Sequence, residues 1–341
     1  MQTHRPGRRY SVQNTFKSFI NRFSTVIILL LLILVCYLVA GDRFIRKTNL
    51  INIARQISVV TILSFAQTLV IITGQIDLSI GAIAGMAGTF SCAVYVMTQN
   101  LPLAILTALA IGAAVGVING LVITRFSVPS FIVTLAMQSI AMGIIFLYTK
   151  GNNIYNIGAY KVLGQGEFMY VPIPVLFMIG FWLLIAFMLK WCKFGRYLYA
   201  TGGNEHAAIA SGISTKNVKL LTFVISGLLA AFAGVILMAR LNAGIPVEGI
   251  GYETDAIMAT IVGGTSFTGG TGTATGTLIG SFIIGVLNNI LNLMGVQSYV
   301  QQIVKGSLII LAVILDVYSK SRKRTVTIMD TTKMAAKGSA S

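Results

Sequence analysis

Charged residues, histidine and cysteine are all scarce in this 341-residue chain, and each shortage removes a class of function. Only 10% of the residues are charged, against 55% hydrophobic, and mean hydropathy is +0.84. Those values lie outside the range of ordinary soluble domains and describe a polytopic membrane protein. His4 and His206 are too few and too far apart for a metal centre, so no metal site and no cofactor is expected. Cys36, Cys92 and Cys192 fall in or beside apolar runs without paired or metal-type spacing, which makes them structural thiols. A Gly-Lys dipeptide is absent, so the many glycines hold no Walker A phosphate loop and the chain carries no ATP site of that kind. No nucleophile and base pair occurs within the apolar runs, which argues against an intramembrane enzyme. Acidic residues number nine against 25 basic ones. The excess sits between apolar runs and at the two ends, as the positive-inside rule requires, and does not call for nucleic acid.

The apolar runs set the architecture. They are Val26–Ala40, Ile57–Thr73, Ala82–Met97, Leu103–Thr124, Ser130–Tyr148, Pro174–Trp191, Leu220–Ala239, a short Asp255–Val262, Gly276–Leu293 and Val300–Tyr318. The expected fold is therefore an all-α polytopic membrane protein of about ten transmembrane helices, some of them broken. Residues 1–22 form a basic cytoplasmic arm with a short surface helix, 23–320 the transmembrane domain with a cytoplasmic loop over 192–216, and 321–341 a polar, disordered tail. With the N-terminus inside, 17 basic residues fall on the cytoplasmic side and seven outside, so both termini are placed in the cytoplasm. The cluster from Arg43 to Arg55 goes against that bias. A thin internal repeat pairs Gly116-Val-Ile-Asn-Gly-Leu with Gly285-Val-Leu-Asn-Asn-Ile, and Asn52 with Asn217. Its spacing fits two halves inverted in the membrane, an arrangement many transporters use.

Three stretches carry chemistry. Asp255 to Leu293 runs from an acidic pair, Glu253 and Asp255, through a break holding Gly263, Gly264, Thr265 and Ser266, to an apolar helix bearing Asn288 and Asn289. Non-helical backbone at membrane depth survives only where protein or a water-filled cavity satisfies it, and such breaks mark transport paths. Close glycine packing is the competing reading of the same residues. Gly74-Gln-Ile-Asp-Leu-Ser-Ile-Gly81 is the second break, where Asp77 and Ser79 either cap the next helix or line the path. By topology the two breaks lie on the same side. Lys305 stands within the last span with an unidentified acidic partner. The third stretch is a short cytoplasmic helix capped by Asn204, with Gly202 and Gly203 before it and Gly212 after it; its small side chains suit another protein's groove.

In these residues the chain resembles the permease subunits of bacterial ABC importers for monosaccharides, the ribose, xylose, arabinose and galactoside group, and most of all the ribose branch. The resemblance rests on Gly74–Gly81, similar to the family's GGIDLSVG except at Gln75 and Ile80. It rests also on Phe131-Ile-Val-Thr-Leu-Ala, on Gly195-Arg-Tyr-Leu-Tyr-Ala-Thr-Gly-Gly-Asn-Glu, and on Gly251-Tyr-Glu-Thr-Asp-Ala-Ile with Asn288-Asn-Ile-Leu-Asn-Leu-Met-Gly. Asp255-Ala-Ile-Met-Ala-Thr departs from the usual DAIAAVV. The resemblance implies an inner-membrane subunit, paired with a second permease subunit as a homodimer, a cytoplasmic ATPase and a periplasmic sugar-binding protein. It makes 202–212 a coupling helix, with Asn204, Glu205, Ala207 and Ala208 against the ATPase. It implies passage of a monosaccharide past the glycine-rich breaks; the residues read as lining that path are Gly74, Asp77, Ser79, Gly81, Glu253, Asp255, Gly263, Gly264, Thr265, Ser266, Asn288 and Asn289, with no sugar-ligand role assigned to any one of them. An ion-coupled secondary transporter, or an ABC permease for a nucleoside or signalling furanose derivative, is the alternative.

Overall fold

A computed structural model describes residues 12–314 and 316, with side chains from 25 onward; the basic arm before Val12 and the tail after Asp316 lie outside the described residues. In chain order the helices are α1 (Val12–Ala40), α2 (Asp42–Ile45), α3 (Lys47–Ile72), α4 (Ile80–Thr98), α5 (Leu101–Phe126) and α6 (Ser130–Thr149). A loop follows, with the short α7 (Val162–Gln165) and a hairpin of β1 (Glu167–Phe168) and β2 (Val171–Pro172). Then come α8 (Ile173–Trp191), α9 (Lys193–Gly203), α10 (Glu205–Ala210), α11 (Thr215–Leu241), α12 (Tyr252–Val262), α13 (Ala274–Leu293) and α14 (Ser298–Ile314).

Seven of these, α3, α4, α5, α6, α8, α11 and α13, are long and apolar enough to cross a membrane. The described apolar part of α1 (Thr25–Ala40), α12 and α14 are shorter. Among the described residues all ten apolar runs are thus helical, while length and composition qualify seven as spans. The expected short surface helix in the arm is instead continuous with the first apolar run, because nothing between Val12 and Ala40 breaks it.

Burial separates the helices by role. α3 is buried almost all the way round and α11 along most of its length, whereas α5, α6 and α8 keep large aliphatic faces exposed, such as Leu106, Leu135, Leu147 and Leu183. Between two apolar media little hydrophobic force drives helices together, so close backbone packing must do so. Glycines supply it along α11. A methyl group added at Gly227 would strike the Gly112 carbonyl, and one at Gly234 would strike that of Ala84. The α11–α5 and α11–α4 crossings therefore bring backbones into contact.

Two four-helix groups share one contact pattern. α4 and α5 pack on α11, and α4 on α6; correspondingly α12 and α13 pack on α3, and Leu308 and Ile309 of α14 pack on Met258 and Ala259 of α12. The C-terminal end of α3 lies beside α9, just ahead of α11, where a methyl group at Gly202 would strike the Ile72 carbonyl. At the opposite end the C-terminus of α11 meets the loop after α6, where Gly164 abuts Arg240.

Candidate functional site

The chain crosses the bundle with two breaks, and the structure shows how each is satisfied. After α3, Gly74 turns with φ +77°, and residues 75–79 run non-helically inside the bundle. Hydroxyl groups of α6 accept the exposed amides: Ile76 N donates to Ser130 Oγ and Leu78 N to Thr134 Oγ1, each at 3.0 Å. Asp77 is fully enclosed. Its Oδ1 accepts from Ser79 N (2.9 Å) and Ser79 Oγ (2.6 Å), and its Oδ2 accepts from Ser226 Oγ of α11 at 3.1 Å. Asn119 of α5 donates to Ser79 Oγ at 3.0 Å.

The expected cap is not made in the usual way. Ser79 occupies the N-cap position of α4 without a side-chain bond into the helix, and Asp77 holds the Ser79 backbone instead. Asp77 and Ser79 are therefore bundle-internal brackets in this conformation. Gly81 is equally enclosed, since a methyl group there would strike the Gly249 carbonyl and the Glu253 carboxylate.

The second break lies between α12 and α13. Glu253 accepts from Gly251 N with both oxygens at 3.1 Å and from Gln138 Nε2 at 3.2 Å, which fastens the start of α12 as a cap and pairing group should. Gly263 packs on the Gly276 carbonyl and Gly280 on that of Ala259, so close packing accounts for these glycines. Gly264, Gly269 and Gly270 have φ of +88°, +85° and +75°, in the left-handed region that glycine enters without strain. Thr265 and Ser266 are buried; Thr265 N reaches the Thr260 carbonyl at 3.1 Å, and Ser266 Oγ donates to Asp316 Oδ2 at 3.1 Å.

The two breaks, expected on the same side, meet. Gly270 N donates to the Ile72 carbonyl at 2.9 Å, and a methyl group at Gly269 would come within 2.9 Å of Gly74 N and 3.0 Å of the Gly202 carbonyl. The meeting also involves the third stretch. Gly202 and Gly203 lie in the last turn of α9, not in a hinge before the next helix, and they abut Gly269 and Gly270 directly. Asn204 caps α10 by accepting from Ala207 N at 3.0 Å, as expected. Ala208 is buried and faces inward, while Ala207 and Ile209 are exposed. Gly212 turns the chain toward α11 with φ +81°. Glu205 forms an ion pair with Lys219 at 2.7 Å. Partial burial of Glu205 acts to raise its carboxyl, but the bond and charge of Lys219 prevail and hold it below the ordinary range.

One polar cavity of about 390 Å³ opens among α12, α13 and α14. Asp255 in the first turn of α12 is on its wall, and Lys305 of α14 supplies the partner that the sequence left unnamed. Lys305 Nζ stands 2.9 Å from Asp255 Oδ1 and 3.0 Å from Oδ2, with hydrogen-bonding geometry toward Oδ2. Asn288 Nδ2 donates to the same Oδ2 at 2.9 Å, while Asn288 Oδ1 is buried with no partner. A buried amide oxygen left without a donor costs free energy, so Asn288 is held here at some expense. Gln56, Thr254, Asn292, Ser298, Gln301 and Gln302 add further polar groups to the lining. Of the twelve path residues expected from the sequence, Asp255 and Asn288 line this cavity. Asn289 points elsewhere, in a reciprocal amide pair with Asn49 of α3 at 2.9 and 3.2 Å. Sequence reasoning missed Gln301 and Gln302; polar side chains at adjacent positions near the start of α14 were the available signal.

The thin repeat acquires a physical meaning here. In Gly116-Val-Ile-Asn and Gly285-Val-Leu-Asn, each asparagine stands three residues after its glycine and reaches the element bearing the acid of its own half: Asn119 to Ser79, beside Asp77, and Asn288 to Asp255.

Comparison with known proteins decides the family. Residues 49–313 match the family described as Branched-chain amino acid transport system / permease component. The chain belongs to this permease family. The permease is 40% identical over 315 residues to the ribose import permease protein RbsC of Escherichia coli K12, covering 91% of this chain and 97% of that protein. It is 41% identical over 290 residues to the ribose import permease protein RbsC of Bacillus subtilis 168, covering 84% and 90%. It is 36% identical over 309 residues to the D-allose transport system permease protein AlsC of Escherichia coli K12, covering 88% and 93%. No solved structure matches. The expected resemblance to sugar-importer permeases is borne out, although the family description names amino acids and the individual relatives name sugars.

Proposed function

We propose that this chain is the membrane permease subunit of an ATP-driven monosaccharide importer, carrying a ribose-like sugar through the polar cavity among α12, α13 and α14. The cavity is the observation that carries the reading. Its size falls within the range of ligand pockets, and its wall offers amides, a serine hydroxyl and an ion pair to a hydroxyl-rich, uncharged solute. The high identity to ribose and allose permeases supports a sugar over an amino acid.

In this reading ten segments lie in the membrane, with α3–α6 and α11–α14 related as an inverted repeat. The end bearing α9 and α10 faces the cytoplasm, with both termini on that side. The described core does not decide that orientation by charge: six basic residues lie at the α9–α10 end (Arg125, Lys190, Lys193, Arg196, Lys216, Lys219) and seven at the other. The arm and tail carry the bias. A partner ATPase hydrolyses ATP and docks on α10, touching Asn204, Glu205, Ala207 and Ile209, with Ala208 holding the helix from below. A periplasmic binding protein delivers the sugar at the opposite end, and a second permease subunit completes the channel. Gly74, Asp77, Ser79, Gly81, Glu253 and the Gly263–Ser266 turn shape the path from behind, through the breaks that they fasten.

The test is uptake of labelled ribose, allose, xylose, arabinose and galactose in cells lacking this chain, then restored with and without the ATPase. Uptake of one sugar that returns only with both proteins is the expected result. Uptake restored without the ATPase, and abolished by collapsing an ion gradient, would establish a secondary transporter. Unchanged uptake of all five sugars would transfer the proposal to a nucleoside or another furanose derivative.

A further inference from the structure

Among the described residues, helix α14 is held near its start by Gln301, whose Nε2 donates to Asn292 Oδ1 of α13 at 2.9 Å, and further along by two charged attachments. Between them only Leu308 and Ile309 pack on buried neighbours of α12 and α13, while Ile303, Ile310, Leu311 and Ile314 are exposed. One attachment is Lys305 to Asp255, at the cavity. The other is Asp316, just beyond the described end of α14. Its Oδ2 accepts from Ser266 Oγ and from Phe267 N, both at 3.1 Å.

The turn that Asp316 grips is internally bonded. Ser266 N donates to the Thr271 carbonyl at 3.1 Å, and Gly269 N donates to the Ser266 carbonyl at 3.0 Å. It is also the turn that meets α9: Tyr199 Oη donates to the Gly272 carbonyl at 2.7 Å, Gly202 abuts Gly269 and Gly270 with no room for a side chain on any of the three, and Gly270 also packs against the Gly203 backbone. Contacts without slack transmit displacement, because packed backbone has nowhere to yield. One continuous set of contacts therefore joins α9 to the cavity wall through this turn and α14.

We propose that Asp316 and Lys305 are positioning residues that make α14 the moving wall of the solute cavity. Displacement of α9 and α10 passes to the 263–272 turn, from the turn to α14 through Asp316, and from α14 to the cavity through Lys305. This rests on the permease reading above. Coupling of this kind needs an element with two arrangements that both sites bias, and a helix fixed by a few polar attachments and a narrow apolar contact is suited to that role.

The experiment reconstitutes the permease with its ATPase and binding protein in proteoliposomes, and measures labelled ribose uptake and ATP hydrolysis separately. Asp316→Ala is expected to leave hydrolysis nearly unchanged and to lower ribose moved per ATP by about tenfold, in the range of typical site-to-site coupling. Asp316→Glu, which keeps the acceptor, restores most of that ratio. In the pair Ser266→Cys with Asp316→Cys, a disulfide replaces the hydrogen bond: the oxidised protein stays coupled and the reduced protein does not. The proposal is overturned if Asp316→Ala moves ribose at the wild-type ratio. It is also overturned if uptake and hydrolysis fall in parallel in all these variants at normal membrane levels, since that is a purely structural role. Wild-type vesicles run alongside; absence of ATP-dependent uptake in them overturns the permease reading and this inference with it.

Discussion

Lys305→Met gives the sharpest test of how the cavity wall is held. The substitution removes the cation 2.9 Å from Asp255, whose side chain is 7% exposed, and leaves Asn288 as the carboxylate's remaining side-chain donor among the described residues. Breaking a buried ion pair from one side costs about 3–5 kcal/mol, because the surviving charge is neither solvated nor paired. Lys305 is 22% exposed and borders the cavity, which places the cost near the lower end, about 3 kcal/mol. Asp255→Asn alone should cost less, about 1–2 kcal/mol, since Lys305 can turn its ammonium toward the cavity opening. The double variant removes both charges and keeps an amide beside Asn288. A double-mutant cycle should therefore return a coupling of about 2–4 kcal/mol between the two sites. Reversible unfolding in mixed micelles at constant salt measures it. A coupling under about 0.5 kcal/mol would mean the pair is solvated and loose, and would refute the account of the wall.

The α11 crossings should tolerate no side chain. Gly227→Val places atoms on the Gly112 backbone and is expected to cost more than about 3 kcal/mol, read as loss of protease-resistant protein in membranes, while Gly143→Ala, with open space around it, changes little. Thr68 Oγ1 lies 2.6 Å from Thr277 Oγ1 and 3.3 Å from Thr260 Oγ1, so Thr68→Val should cost about 1–2 kcal/mol in the same unfolding assay. The Glu205–Lys219 pair gives a pH dependence for α10. Because the folded state holds the Glu205 carboxyl below its ordinary value, the stabilisation is fully present above that ordinary value and is lost as pH falls through the lowered one. Protection from hydrogen exchange over 205–210, taken relative to the intrinsic rate at each pH, should fall as acid protonates Glu205 and stay constant between neutral pH and the onset of that titration. Ala207→Trp should leave the protein in the membrane and abolish uptake, since Ala207 lies on the exposed face of α10; normal uptake would remove α10 from the coupling role.

Composition and periodicity determined the class of this protein and the position of every apolar helix. A run of apolar residues with few charges has one stable form in a bilayer, the helix that satisfies its own backbone. The spaced motifs around Asp77, Gly202–Glu205, Asp255 and Asn288 were sufficient for the family, because together and in order they resemble that family's motifs. Asn204 as a cap was equally legible, since the bond it makes is local.

What tertiary structure decided was every relation across the chain. It decided that Lys305 meets Asp255, 50 residues away, and that Asp77 meets Ser226, 149 residues away. It turned Ala208 inward and Ala207 outward, and put Gly202 within a helix where the sequence suggested a hinge. It also decided which glycines pack and which turn. The physical reason is the same in each case. A buried charge or a missing side chain states that a partner exists, but the partner's identity depends on how helices cross, and crossings are set by the fit of many small residues at once.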